Sequence, residues 1–180
     1  MRPPSGDQLG KLSLSGAELN VQASPAAAPV NDRLIGAWTT SAKTSSSRSL
    51  APNFGHMRLR YIFNADGTYS FKAERMFSAQ RWWTTEETGT FSVNGDSLTI
   101  TPKTSKATLR NLNGVVQETR ANPLEKATYK WTTHYFEGIQ ETNLVLEPPK
   151  PTNRDGILGA NSLFPRAYLY GQGDRHEWRF

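Results

Sequence analysis

The chain contains no cysteine, only three histidines and no long apolar run. The absence of cysteine excludes disulfides, thiolate metal sites and a cysteine nucleophile. No stretch is long and apolar enough to predict a transmembrane segment, and the N-terminus lacks the apolar region of a classical signal peptide. These absences leave the compartment open, and export (periplasmic or secreted) and the cytoplasm fit equally well.

Motifs that carry chemistry are also scarce. The histidines, His56, His134 and His176, are not spaced as metal ligands, and no Gly-x-Ser-x-Gly nucleophile motif is present. The Gly171-Gln172-Gly173 sequence is more typical of a hairpin turn than of a phosphate loop. The sequence therefore predicts no catalytic residue, no metal ligand and no cofactor, and it favours a non-enzymatic protein.

Charge adds little to this picture. The formal net charge is +5, and the basic residues are scattered along the chain rather than clustered. Scattered charge is typical of a solvated surface. The sequence thus carries no clear signal for binding nucleic acid.

Composition divides the chain into two parts. Residues 1–32 contain no aromatic residue and include the Pro/Ala-rich segment 23–29, which predicts a disordered or loosely attached N-terminal arm. Residues 33–180 hold every Trp, Tyr and Phe and are long enough to bury a core. They are predicted to form one domain.

The segment 57–101 has the pattern of two successive β-hairpins. In the first, apolar residues alternate on both sides of the turn Asn64-Ala65-Asp66-Gly67. In the second, alternating strands flank Asn94-Gly95-Asp96, and Asn-Gly between such strands is the strongest short-range hairpin signal. Between the hairpins, residues 77–83 are predicted to form a connection.

Further alternating segments follow at 103–109, 115–119, 127–136, 144–146, 167–170 and 176–180. Residues 44–52 are predicted to form a loop or a short helical turn, and residues 150–165 a long irregular excursion. No segment has the period of an amphipathic helix. The pattern predicts an all-β antiparallel up-and-down barrel of about 8 to 10 short strands.

Several motifs occur in the order found in one known group of proteins. They are Gly36-Ala37-Trp38, the F-x-x-D-G-T-Y-x-F hairpin at 63–71, and the E-x-G-T-F-x-V-x-G-D-x-L-x-I-T-P segment at 87–102. Together with a late T-Y-x-W at 128–131, they resemble the small bacterial lipocalin-like domains of the calycin group. This resemblance implies a barrel whose interior holds a small apolar ligand, and it does not identify that ligand.

Alternation predicts which side chains face the barrel interior. The expected apolar ligand-binding lining is Trp38, Tyr61, Phe63, Tyr69, Phe71, Phe91, Tyr129 and Trp131. Two charged residues, Arg75 and Glu87, fall on the same face. They are predicted to lie past the core at the strand ends. If both instead point inward, they form an ion pair at the barrel mouth or hold the polar end of a ligand.

Trp82 and Trp83 are a special case, because adjacent strand residues face opposite sides of a sheet. At least one of them is expected to cover a barrel end, with a stacking platform for a sugar or nucleotide and an interface anchor as the alternatives.

The leading hypothesis is thus binding of a small apolar or amphipathic ligand inside a lipocalin-like barrel. The alternative is a packed β module that binds a protein partner through exposed aromatics at Trp82 and Trp83. An internal cavity would favour the first hypothesis, and an exposed apolar patch would favour the second.

Overall fold

The computed structural model describes residues 32–45, 54–78, 81–156, 158 and 161–173. These residues contain nine strands and no helix that is long and apolar enough to cross a membrane. Residues 1–31 of the arm predicted at 1–32, and the predicted strand at 176–180, lie outside the described residues. The strands are β1 (Gly36–Ser45), β2 (Phe54–Phe63), β3 (Thr68–Ser78), β4 (Arg81–Asn94), β5 (Ser97–Asn111), β6 (Val116–Ala121), β7 (Ala127–Phe136), β8 (Glu141–Glu147) and β9 (Tyr168–Gln172).

Eight of these strands close into an antiparallel barrel. Their order around the barrel is β4-β3-β2-β1-β9-β8-β7-β5, and pairing of β4 with β5 completes the circle. All-β antiparallel architecture and barrel closure, both predicted from alternation, are confirmed. Strand β6 lies outside the circle, because it pairs with residues 106–110 of β5 while β7 pairs with residues 97–100. The wall formed by β3, β4, β5 and β6 therefore extends beyond one end of the barrel.

The two predicted hairpins are confirmed. Strands β2 and β3 pair Phe63 with Tyr69 across the first turn, where the amide of Gly67 donates to the Asn64 carbonyl at 3.1 Å. Gly67 has φ of +80°, a conformation that glycine adopts without steric cost. The second hairpin joins β4 to β5 and pairs Val93 with Leu98.

The strands run further than the sequence indicates. The predicted connection at 77–83 is wrong, since β3 continues to Ser78 and β4 begins at Arg81. Trp82 and Trp83 therefore lie within a strand, paired with Met76 and Arg75. Aromatic residues favour strands, which agrees with this position. The prediction missed it because the polar residues around the two tryptophans show no alternation that would mark the strand ends. Likewise, β1 extends to Ser45 into the segment predicted as a loop or helical turn.

The core lies inside the barrel and consists mainly of aromatic rings. The ring centroids of Tyr61 and Phe71 are 4.7 Å apart, and those of Phe63 and Phe91 are 5.0 Å apart. The indole of Trp38 donates to the Leu34 carbonyl at 2.8 Å, so its polar atom is satisfied. Offset and edge-on ring contacts of this kind stabilise a core beyond the apolar area that they bury.

Gly89 marks a tight approach between β4 and β5. A Cβ atom at this position would lie 2.8 Å from the Cα of Pro102, with the Thr101 carbonyl and the Tyr69 ring also in the way. We expect Gly89→Ala to lower the free energy of unfolding by about 1–3 kcal/mol, the usual effect of overpacking. Urea denaturation followed by tryptophan fluorescence measures this loss.

Gly138 provides the matched control, because an added Cβ there meets no atom within 4 Å. Gly138→Ala should change the free energy of unfolding by no more than about 0.5 kcal/mol. Equal stability of the two variants would contradict the close approach at Gly89.

Candidate functional site

Residues 152–156 form a tight turn that we call the plug. The Thr152 hydroxyl accepts from the Asp155 amide at 3.1 Å and donates to the Asp155 carboxylate at 2.6 Å. The Gly156 amide donates to the Thr152 carbonyl at 2.9 Å, and Gly156 adopts φ of +86°. A hydroxyl at the start and a glycine at the end thus fix the turn locally.

The plug places the Asp155 carboxylate inside the barrel, where this residue is 1% exposed. One carboxylate oxygen accepts from the hydroxyls of Tyr61 at 2.7 Å and Tyr170 at 2.6 Å. The other accepts from the hydroxyl of Tyr129 at 2.6 Å and from Thr152. Because the three tyrosines belong to β2, β9 and β7, a single carboxylate connects three separate parts of the barrel wall.

The protonation state of these three tyrosines allows them to donate hydrogen bonds to the carboxylate. Burial raises the pKa of Tyr61, Tyr129 and Tyr170 above the ordinary value of 10.0, and the negative charge of Asp155 raises each pKa further. The three hydroxyls therefore keep their protons at neutral pH and act as donors to the carboxylate.

Arg154, the preceding plug residue, forms a buried ion pair with Glu87 of β4. The Arg154 Nε atom lies 2.5 Å from Glu87 Oε1, and the two side chains are only 2% and 6% exposed. The same Glu87 oxygen accepts from the Tyr69 hydroxyl at 2.6 Å, and the Arg154 guanidinium also donates to the carbonyl of Glu125 at 2.8 Å. Each of the two buried charges therefore has several hydrogen-bond partners, which offset the cost of burying it.

The eight aromatic residues predicted as ligand lining lie together in one buried cluster. None of them is more than 8% exposed, and they pack against one another. The hydroxyls of Tyr61 and Tyr129 point to the plug. The cluster comprises Trp38, Tyr61, Phe63, Tyr69, Phe71, Phe91, Tyr129 and Trp131.

The sequence placed the two charged residues past the core at the strand ends, but Glu87 lies within β4 and is 5% exposed, and Arg75 of β3 is half-buried. Glu87 forms an ion pair, but with Arg154 rather than with Arg75, because the plug brings a second cation closer. Arg75 instead donates to the carbonyl oxygen of Arg154 at 2.8 Å. Both Arg75 and Glu87 line the same groove.

This groove, which we call the mouth groove, has a cavity volume of about 430 Å³. It lies between the plug and the inner side of the extended β3–β6 wall. Thr85 and Ala107, which pair across β4 and β5, form the floor of the groove. Because both side chains are small, they leave space above them. Its lining comprises Phe71, Arg75, Trp83, Thr85, Glu87, Ser105, Ala107, Arg120, Asn122, Pro123, Glu125, Asn153 and Arg154.

The structure separates the two adjacent tryptophans. Trp83 lines the mouth groove, and the guanidinium carbon of Arg120 lies over its ring at 4.6 Å from the centroid. Trp82 lies on the opposite face of β4, paired with Arg110 of β5. Both indoles are half-buried. One tryptophan is thus available to a ligand in the groove and the other is not.

Sequence reasoning missed the plug residues Thr152, Arg154 and Asp155, as well as Arg120. The Thr-x-x-Asp-Gly spacing does indicate a side-chain-capped turn. However, this local signal says nothing about where the turn packs. Arg120 lies in β6, whose six residues are all exposed and carry no alternation.

No metal site emerges from the described residues, which contain no group of three or more His, Cys, Asp or Glu side chains placed to hold a metal ion. His134 packs on the outer face of β7 against Phe136 and Phe164, with centroid distances of 4.6 and 5.2 Å. It is half-buried, whereas the sequence predicted a surface residue. The Phe164 ring from the 150–165 excursion covers it.

Comparison with known proteins gave no relative, since no family model, no curated protein and no solved structure matches the chain.

The Asp155 carboxylate should be a main determinant of stability. Asp155→Asn keeps the shape but puts an NH₂ group where hydroxyls now donate, so we expect a loss of about 3 kcal/mol in the free energy of unfolding. Urea denaturation measures it. Asp66→Asn is the control, because Asp66 accepts from Thr68 in an exposed turn. A loss at Asp155 no larger than that at Asp66 would contradict the proposed role of the carboxylate.

The raised tyrosine pKa values predict alkaline unfolding. Above pH 10, the ordinary pKa, unfolded chains lose protons that native Tyr61, Tyr129 and Tyr170 retain. Stability is therefore complete below pH 10 and falls above it, by about 4 kcal/mol per pH unit for three groups.

The measurement follows tyrosinate absorbance and circular dichroism together as the pH rises. The ionisation of these three tyrosines should coincide with loss of the fold. Ionisation of most tyrosines near pH 10 in a protein that stays folded would refute the prediction, because ordinary tyrosines titrate there.

Proposed function

We propose that this protein binds a small amphipathic molecule non-covalently in the mouth groove and does not transform it. The observation that carries this proposal is the groove itself. Its volume of about 430 Å³ falls within the range of small-molecule sites, roughly 300–1,000 Å³. Its walls combine apolar surface from Phe71, Trp83 and Ala107 with a few convergent polar groups.

The packing of the interior favours the mouth over the centre of the barrel. The aromatic cluster and the plug occupy the inner side of the strands, and the Asp155 hydrogen bonds hold the plug in place. A ligand at the centre would have to displace a carboxylate with four hydroxyl donors. A ligand in the mouth groove displaces only solvent and the side chain of Arg120.

The resemblance to bacterial lipocalin-like domains supports the same class of function. The closed eight-stranded antiparallel barrel is consistent with that fold. In the proposed arrangement, the long β4 and β5 strands and the short β6 carry the ligand site beyond the barrel end. Of the predicted lining, Phe71, Arg75 and Glu87 then contribute directly, and the other aromatics support them from below.

A fluorescent apolar probe tests this function. N-phenylnaphthylamine, which is neutral and brightens on transfer from water to apolar surroundings, should bind the wild-type protein. Ala107→Phe should weaken its Kd by about tenfold or more, because a phenyl ring on the floor fills the groove without changing any charge.

Ala65→Phe is the matched control, since Ala65 is exposed in the β2–β3 turn away from the groove. It should leave the Kd unchanged. Thermal unfolding must show that both variants fold. If Ala107→Phe does not weaken binding, or if neither this probe nor its anionic analogue binds the wild type, the mouth groove is not the site. The packed interaction module then becomes the better interpretation.

A further inference from the structure

The charges that line the mouth groove do not cancel. Three arginines and two glutamates line it. Arg154 and Glu87 neutralise each other as the buried ion pair. This leaves Arg75 and Arg120 against Glu125, whose carboxylate accepts from the backbone amide of Asn153 at 2.8 Å. The groove therefore has an excess of positive charge.

Within the part of the chain that the structure describes, neither of the two remaining arginines is paired with an acid. Arg75 donates to a neutral acceptor, the Arg154 carbonyl. Arg120 makes a cation–π contact with Trp83. Among the described residues, no carboxylate lies within ion-pair distance of either guanidinium. Both side chains are hence available to an incoming anion.

The two guanidinium groups flank a single indole. Arg75 is the direct cross-strand partner of Trp83 in the β3–β4 register, and directly paired residues have Cβ atoms about 5 Å apart. Arg120 reaches the same ring from β6. The groove thus places two cations beside one flat apolar surface, which matches a molecule with an anionic group attached to an apolar body.

Building on the proposed function, we propose that the mouth groove selects amphipathic anions. Arg75 and Arg120 bind the anionic headgroup, and Trp83 contacts the apolar body. The ligand replaces the Arg120 guanidinium on the indole face, and Arg120 turns to the headgroup. A guanidinium binds carboxylate, sulfonate and phosphate oxygens in a two-pronged geometry, so these headgroups share the chemistry that the site requires.

Two matched probes test this selectivity. Anilinonaphthalene sulfonate carries the same ring system as N-phenylnaphthylamine plus one negative charge. We expect the wild type to bind the sulfonate at least about tenfold more tightly than the neutral probe. Arg75→Gln and Arg120→Gln should each weaken sulfonate binding by about tenfold and lower the preference for the sulfonate over the neutral probe by a similar factor.

Arg166→Gln is the matched control, because it removes the same charge from an exposed arginine outside the groove. It should not change the Kd of either probe. Of the two variants, Arg120→Gln should disturb the fold less. Arg120 lies on an exposed strand and makes no hydrogen bond to the plug among the described residues. Thermal unfolding checks that each variant folds.

Competition then distinguishes the headgroups. Dodecanoate, dodecyl phosphate and neutral dodecanol are each titrated against the bound sulfonate probe. Displacement by either anion at lower concentration than by dodecanol supports the proposal, and the stronger anion identifies the headgroup. Equal displacement by dodecanol overturns it.

The two proposals fail in different ways. If both probes bind equally, or if the Arg75 and Arg120 variants bind the sulfonate as well as the wild type does, anion selectivity is wrong. The mouth groove still stands in that case, provided that Ala107→Phe weakens the neutral probe. If neither probe binds the wild type, both proposals are overturned.

Discussion

The structure depends on the burial of one carboxylate inside an aromatic barrel. An unpaired carboxylate in such a place would cost several kcal/mol, so the fold must supply donors for it. Asp155 obtains them from Tyr61, Tyr129 and Tyr170, with Thr152 as the local fourth. A carboxylate accepts about four hydrogen bonds, and this one is therefore saturated. The tyrosines, in turn, need a buried acceptor for their hydroxyls, and the aspartate provides it.

This arrangement explains how the plug is held inside the barrel. A segment that follows a proline, Pro151, and has no strand period would normally lie on the surface. In the plug, the adjacent residues Arg154 and Asp155 carry opposite charges and bind to different parts of the barrel wall. Asp155 points to the tyrosines, whereas Arg154 points to Glu87 on β4. These contacts join the plug to strands that are distant from one another in sequence. They therefore contribute to stability only when the barrel is closed. The plug and the barrel therefore stabilise each other.

The parts that local patterns determine were predictable from the sequence. Alternation and turn glycines placed the two hairpins, the barrel class and the inward face of residues such as Tyr61 and Phe71. They also put Arg75 and Glu87 on the same face as the aromatic residues, but past the core at the strand ends, whereas Glu87 is buried within β4. The partner of Glu87 was not predictable, because Arg154 is 67 residues away and no period links the two. Arg120 was missed for a related reason: an exposed strand has no burial pattern that would reveal which face meets a groove.

The plug also forms one wall of the mouth groove, and this connects stability to the proposed ligand site. Arg75 donates one N–H to the plug backbone at the Arg154 carbonyl. A guanidinium has five N–H donors in a planar fork, so this bond orients the group and leaves donors for a headgroup. Arg154 is held more firmly, because Nε is bonded to Glu87 and each of the two terminal nitrogens donates once, to Tyr129 and to the Glu125 carbonyl. Arg154 is thus held by three side-chain hydrogen bonds within the plug contacts, whereas one side-chain hydrogen bond is found for Arg75 among the described residues. This difference in hydrogen bonding agrees with a structural role for Arg154 and with the proposed role of Arg75 at the ligand headgroup.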